Sequence, residues 1–215
     1  NNLLFKDLQL TDSKKTQING TVNFKNLLGN VDQHFYMKGD FKKISSNYDN
    51  LTKLLPDLLG KKLPSSLKKI GQFNYKGKAE LSTTFINTDF YMITEIGNIK
   101  SDLKINNIDN IDNASYKGNI VLEDFNLGYF LDRKDLGKTS LNLDVDGKGF
   151  KQKNLNTAFM GDIFKLRYNG YTYTKIIVDG NFKNQIFDGK AVINDPNLFL
   201  DFKGKVNFDK KDIDY

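Results

Sequence analysis

The chain has 215 residues, 39% of them hydrophobic and 27% charged, with 17 Phe and 10 Tyr, a composition that builds a packed core and excludes a disordered polymer. Its formal net charge of +6 comes from 32 basic against 26 acidic residues; the lysines are scattered rather than gathered in a patch, so no nucleic-acid partner is expected. With no cysteine, disulfide frameworks and thiolate chemistry are excluded.

Taken from the amino terminus, the chain alternates apolar and polar residues with period two, the mark of half-buried strands. The first segment, Asn1 to Asp7, lacks a signal-peptide layout, and no apolar run approaches the roughly 20 residues of a membrane-spanning helix. With no starting Met and an end in mid-pattern at Tyr215, the chain reads as an internal piece of a longer protein. One motif then recurs nine times: a glycine at the centre of an apolar strand face. The first two examples are Ile18, Gly20, Val22, Phe24 and Phe35, Met37, Gly39, Phe41.

A helical interruption is predicted from about Ser46 to Ile70, where Tyr48, Leu51, Leu54, Leu55, Leu58 and Leu59 recur at helical spacing. Ser46 and Asn47 can cap its start, Pro56 should kink it, and Pro64 suits the first turn of a second short helix over 65–70. It reads either as a lid or end-plug on the sheet or, with Lys61, Lys62, Lys68 and Lys69 beside its leucines, as a membrane-surface element.

The strand motif resumes in Phe73, Tyr75, Gly77, Ala79, Leu81, with Phe85 assigned to the same face, and in Tyr116, Gly118, Ile120, Leu122. It continues through Leu141, Leu143, Val145, Gly147 and then Gly161, which is ambiguous. There Phe159 and Ile163 share the glycine's face while Phe164 and Leu166 take the other, as a bulge would allow. The last three examples are Ile176, Val178, Gly180, Phe182; Phe187, Gly189, Ala191, Ile193; and Leu200, Phe202, Gly204, Val206, Phe208. Opposite faces are charged, as in Asn142, Asp144, Asp146, Lys148. Turns are predicted at Asn169-Gly170, at Asp195-Pro196-Asn197 and in the run from Asn106 to Asn113.

Short connections imply antiparallel neighbours. The expected fold is all-β, an elongated antiparallel curled sheet with one short helical insert: strands over 1–45, the insert over 46–70 and strands over 71–215, in one continuous domain. About ten apolar faces with a single helical element to cover them leave the sheet to cover itself. A glycine in mid-strand costs stability unless the fold needs it. Two explanations stand: the glycines let the sheet bend or receive facing aromatic rings, or their missing side chains open a trough for a chain-like ligand.

Catalytic chemistry has no candidate. His34 is the sole histidine and has no partner at triad or metal spacing. Leu136-Gly137-Lys138-Thr139 ends like a phosphate loop, but Asp132 stands where the earlier glycine belongs, and Asp144-Val145-Asp146-Gly147 lacks calcium-loop spacing. Incidental calcium could bind near Asp109 and Asp112. No metal site, cofactor or enzymatic activity is expected.

The run 141–150 followed by Leu155-Asn156-Thr157, then Leu166-Arg167-Tyr168-Asn169-Gly170-Tyr171-Thr172-Tyr173, Val178-Asp179-Gly180, Phe187-Asp188-Gly189 and Asn194-Asp195-Pro196-Asn197-Leu198 resembles the TamB (translocation and assembly module) branch of the AsmA-like proteins. The stretch from Leu54 to Pro64 resembles the insert of that branch. The resemblance implies a segment of a β-taco groove in the periplasm. It also implies an inner-membrane anchor and, through regions not present here, an outer-membrane barrel partner of the TamA or BamA type. The family is linked both to outer-membrane protein assembly and to phospholipid movement.

Physical chemistry favours an acyl-chain lipid as cargo. At about 0.8 kcal/mol per methylene, a lipid with roughly 30 methylenes faces a barrier of about 20 kcal/mol or more in entering water bare, which an apolar trough largely removes. The expected lining is the set of apolar residues flanking the nine glycines. Competing readings are an outer-membrane β-barrel fragment and a structural β-rod with a packed core and no ligand.

Overall fold

The computed structural model describes residues 2–13, 16–27, 34–54, 63–110, 113–150 and 154–208. They form an all-β architecture: one twelve-stranded antiparallel sheet in sequence order that does not close into a barrel. Contacts divide the chain into two units, 1–109 and 110–215.

Unit 1 holds β1 (Asn2–Thr11), β2 (Gln17–Lys25), β3 (Tyr36–Asn47), helix α1 (Tyr48–Leu54), a 3-10 helix (Ser65–Ile70), β4 (Gln72–Ser82), β5 (Phe85–Thr94) and β6 (Gly97–Asn106). Strand pairing places Phe24, Met37, Leu81, Ile86 and Ile105 on one face. A flat sheet would separate β2 from β6 by four strand spacings, about 19 Å. Yet Phe24 of β2 and Ile105 of β6 both pack against one cluster of Phe35, Leu81 and Ile108. The unit therefore curls around its apolar face, and Phe35 and Ile108, 1% and 3% exposed, fill one end of it. Toward the other end Ile70 and Phe73 are buried, and Thr16 and Ser46 share a hydrogen bond of 3.0 Å.

The insert is partly as expected. β3 runs on through Ser46, so the cap of α1 is Asn47, whose Oδ1 accepts from the Asn50 N–H at 2.9 Å. Residues 65–70 form a 3-10 rather than an α-helix, directly after Pro64. Pro56, Leu55, Leu58, Leu59, Lys61 and Lys62 lie outside the described residues. His34 precedes β3 and is exposed, its carbonyl accepting from Asn26.

Unit 2 holds β7 (Ser115–Asn126), helix α2 (Leu127–Leu131), β8 (Leu136–Lys148), β9 (Asn156–Tyr168), β10 (Tyr171–Lys183), β11 (Ile186–Asp195) and β12 (Leu198–Asn207). The sequence reading missed α2, which starts where the Asn126 side chain accepts from the Tyr129 N–H and ends at Asp132 with φ 57°. The expected turn at Asn169-Gly170 is a two-residue hairpin with positive φ at both positions, 46° and 84°, the geometry that matches strand twist. Asn184-Gln185 forms the same kind of turn, with φ 51° and 62°. It has no glycine to announce it.

Two face assignments need correcting. Ser140 pairs with Lys165 and Leu141 with Ile163, so β9 bulges at Phe164, and Leu166 returns to the apolar face opposite Thr139 and Tyr173. Phe85 opens β5 opposite Asn106, and it is Ile86 that pairs with Leu81; the turn before β5 resets the parity and puts Phe85 on the polar face.

Candidate functional site

In unit 1 the pairings align Val22 with Gly39 and Ala79, and Gly20 with Phe41, Gly77 and Phe90. The expected lining residues Ile18, Val22, Phe24, Met37, Phe41, Phe73, Tyr75 and Leu81 all share this face. Val22, Phe41, Phe73 and Leu81 are buried, and the other four are half-buried. Tyr75 stacks on Phe90 at 5.1 Å and meets Phe41 edge-on at 6.1 Å. Burial, with a smaller contribution from Asp89, pushes the Tyr75 phenol up.

In unit 2 one row runs Leu143, Gly161, Val178, Ala191, Phe202 and the next runs Val145, Phe159, Gly180, Gly189, Gly204. Tyr116, Ile120, Leu122, Leu141, Ile176, Phe182, Phe187, Ile193, Leu200 and Val206 lie on the same face. Of the expected lining here only Leu141, Ile176 and Val178 are buried. Phe208 falls just past the end of β12, 57% exposed, with its ring 6.1 Å from Phe182.

All nine glycines lie in strands on the apolar face. Backbone requires several of them. Gly77 and Gly161 have φ of 146° and 147°, and a Cβ on either would sit 2.2 Å from a cross-strand carbonyl oxygen, that of Asp89 or Asn142. Rings cover others: Phe41 lies over Gly39 and Phe187 over Gly180, with Phe187 stacked on Phe159 across the intervening strand at 5.8 Å. Glycines adjoin in a continuous row only at Gly180, Gly189 and Gly204; Gly118 and Gly147 oppose Val145 and Tyr116.

The polar face of unit 1 carries its own feature. A shallow cleft of about 570 Å³ is crossed by two rows, Thr21, Asp40, Lys78, Asp89, Asp102 and Asn23, Lys38, Glu80, Asn87, Lys104. At its rim the Tyr36 hydroxyl donates to Glu80, which also accepts from Asn87 at 3.3 Å. That bond to Glu80, helped by burial, pushes the Tyr36 phenol up to about 12 and draws Glu80 below the usual carboxylate range. Lys38 pairs with Glu80 at 3.7 Å, Asp89 lies opposite Asp102, and the arrangement is that of a solvated face.

Asp195 is the functional-looking carboxylate that sequence reading treated only as turn chemistry. It is 7% exposed and accepts from the Asn197 N–H at 3.0 Å, the Tyr171 hydroxyl at 2.7 Å, and the Thr174 N–H and hydroxyl at 2.9 and 3.0 Å. The Asn197 amide and these donors hold its carboxyl down at about 2, so it locks the β11–β12 turn onto β10. Its ordinary value is near 3.9. A depressed native value means stability that is fully present above about pH 4 and lost as pH falls toward 2. Urea midpoints measured across that window should fall more steeply in the wild type than in Asp195→Asn, which should already have a lowered midpoint at neutral pH.

Among the described residues no group of three or more His, Cys, Asp or Glu could hold a metal ion. Asp109 is described and Asp112 is not. Lys138 and Thr139 of the rejected phosphate-loop motif lie within β8. No helix among the described residues is long and apolar enough to cross a membrane. No family model, curated protein or solved structure matches the chain. The arrangement that stands out is thus a face, repeated in both units: apolar along every strand and only in part buried.

Proposed function

We propose that the apolar face is a stretch of hydrophobic groove that carries the acyl chains of phospholipid or a similar lipid, in a protein of the bacterial periplasm. The observation that carries this reading is the half-exposed state of that face in unit 2. Among the described residues the one helix of the unit packs on β8, and Leu143, Val145, Phe182, Ala191, Ile193 and Phe202 stay partly open. Partly open apolar residues aligned strand after strand give an acyl chain a continuous track, and each methylene placed on it is favoured by about 0.8 kcal/mol. Selectivity would come from shape and hydrophobicity, with no single residue essential. The remaining elements of the reading, an inner-membrane tether and a TamA- or BamA-type barrel partner, rest on the family resemblance.

A second reading, a structural β-rod that supports outer-membrane assembly without carrying lipid, is favoured by the rings of Phe41 and Phe187 over Gly39 and Gly180. The two readings differ in what touches the face. A photoreactive side chain in place of Leu143 should crosslink to lipid in cells, while one in place of Asp144, on the opposite face, should not. Equal labelling at both positions, or none at Leu143, would favour the rod.

A further inference from the structure

Buried polar side chains in this fold have partners. Thr16 and Ser46 bond each other, Ser82 accepts from the Thr84 and Phe85 N–H groups, Thr157 bonds the Tyr116 hydroxyl, and Asp195 takes four donors. Thr139 is the exception: it is 1% exposed, and its Oγ1 has no hydrogen-bond partner among the described residues. A buried hydroxyl without a partner costs stability that a valine of the same shape would not, so such a group calls for an explanation. Its place on the sheet supplies one. Thr139 lies on the apolar face in the row Phe125, Thr139, Leu166, Tyr173. The neighbouring row, Leu122, Leu141, Ile163, Ile176, Ile193, Leu200, is wholly aliphatic. On the other side the chain turns at α2 and the exposed charges Asp132, Arg133 and Lys134. The hydroxyl therefore sits where an aliphatic face meets a charged rim.

We propose that Thr139 is the polar anchor of the groove, donating its hydroxyl hydrogen to the ester carbonyl of a glycerolipid whose acyl chains lie along the aliphatic rows. The inference rests on the groove reading and names the chemistry that the groove selects. In a diacyl lipid the ester stands between hydrocarbon and headgroup, the same order as aliphatic row, Thr139 and charged rim. An ester carbonyl only accepts, which suits a hydroxyl whose hydrogen is committed to no group of the fold. Phe125 faces Thr139 across β7 and β8, and α2, packed on β8, sets the Phe130 ring 5.5 Å from Phe125. Entry of the ester requires this half-buried ring to swing aside, a side-chain motion that leaves the strands in place.

The test offers the intact chain a phosphatidylcholine with two oleoyl ester chains or its diether counterpart, and reads the retained lipid by native mass spectrometry. The wild type should retain the diester about tenfold better, the worth of one hydrogen bond. Thr139→Val should lose that preference, binding both lipids as the wild type binds the diether, whereas Thr139→Ser, which keeps the hydroxyl, should retain it. Without lipid, Thr139→Val should hold or raise the urea midpoint, because no bond within the fold is lost. Thr157→Val should lower it, since the Tyr116 hydroxyl loses its partner. Equal retention of diester and diether by the wild type, an unchanged preference in Thr139→Val, or a lowered midpoint in that variant would overturn the anchor while leaving the groove in place. A wild type that retains neither lipid would overturn the groove reading itself, and the anchor with it.

Discussion

Replacing Gly77 with valine should lower the stability of the protein by about 3 kcal/mol or more, measured as the shift in urea unfolding followed by circular dichroism. Two costs add. The backbone at Gly77 has φ 146°, where an L side chain is strained, and a Cβ there would sit 2.2 Å from the Asp89 carbonyl oxygen and 2.6 Å from the Phe90 Cα. Both obstacles are backbone of the paired strand, so relief requires pulling β4 away from β5. Gly39→Ala is the contrast: its Cβ would strike the ring of Phe41, the far end of a side chain that can rotate, and a loss of about 1–2 kcal/mol is expected. Equal losses at the two positions would mean that the sheet does not approach itself at Gly77 as described.

This distinction could not be read from sequence. Period-two alternation placed most of the face residues named between Ile18 and Val206 on one side, because burying one face fixes the parity of every residue on a strand; Phe85 and Leu166 are exceptions, and β5 and β6 were not singled out. Alternation cannot say why a glycine interrupts the face, since close backbone approach and an overlying ring leave the same pattern. Parity also fails wherever a residue is inserted. The bulge at Phe164, which the pattern allowed for, returns Leu166 to the apolar face, the reset before Phe85 moves that ring to the polar face, and Phe208 falls beyond the last strand. Phe35 and Ile108 were invisible as a plug because they lie just outside strands and meet only when the sheet curls. Asp195 was legible as a turn residue, but its donors Tyr171 and Thr174 come from a neighbouring strand about two dozen positions away, a pairing that depends on register. Helix α2, five residues long, is too short to show a periodicity.

The groove reading makes a second large prediction, that charge on the open part of the apolar face abolishes lipid binding while leaving the fold intact. Position matters. Val178 is 8% exposed, so an unpaired carboxylate there would cost several kcal/mol and unfold the unit, which says nothing about cargo. Leu143 and Ala191 lie in the same row, on either side of Gly161 and Val178, and both are half-buried, so a carboxylate at either position can reach water. The decisive measurement is native mass spectrometry with lipid extraction on the intact chain purified from a Gram-negative host, comparing the wild type with Leu143→Asp/Ala191→Asp. The groove account predicts bound two-chain phospholipid in the wild type and its loss in the double variant, with an unchanged β spectrum in both; a stable wild-type protein that is free of lipid, or a double variant that keeps its lipid, would contradict it.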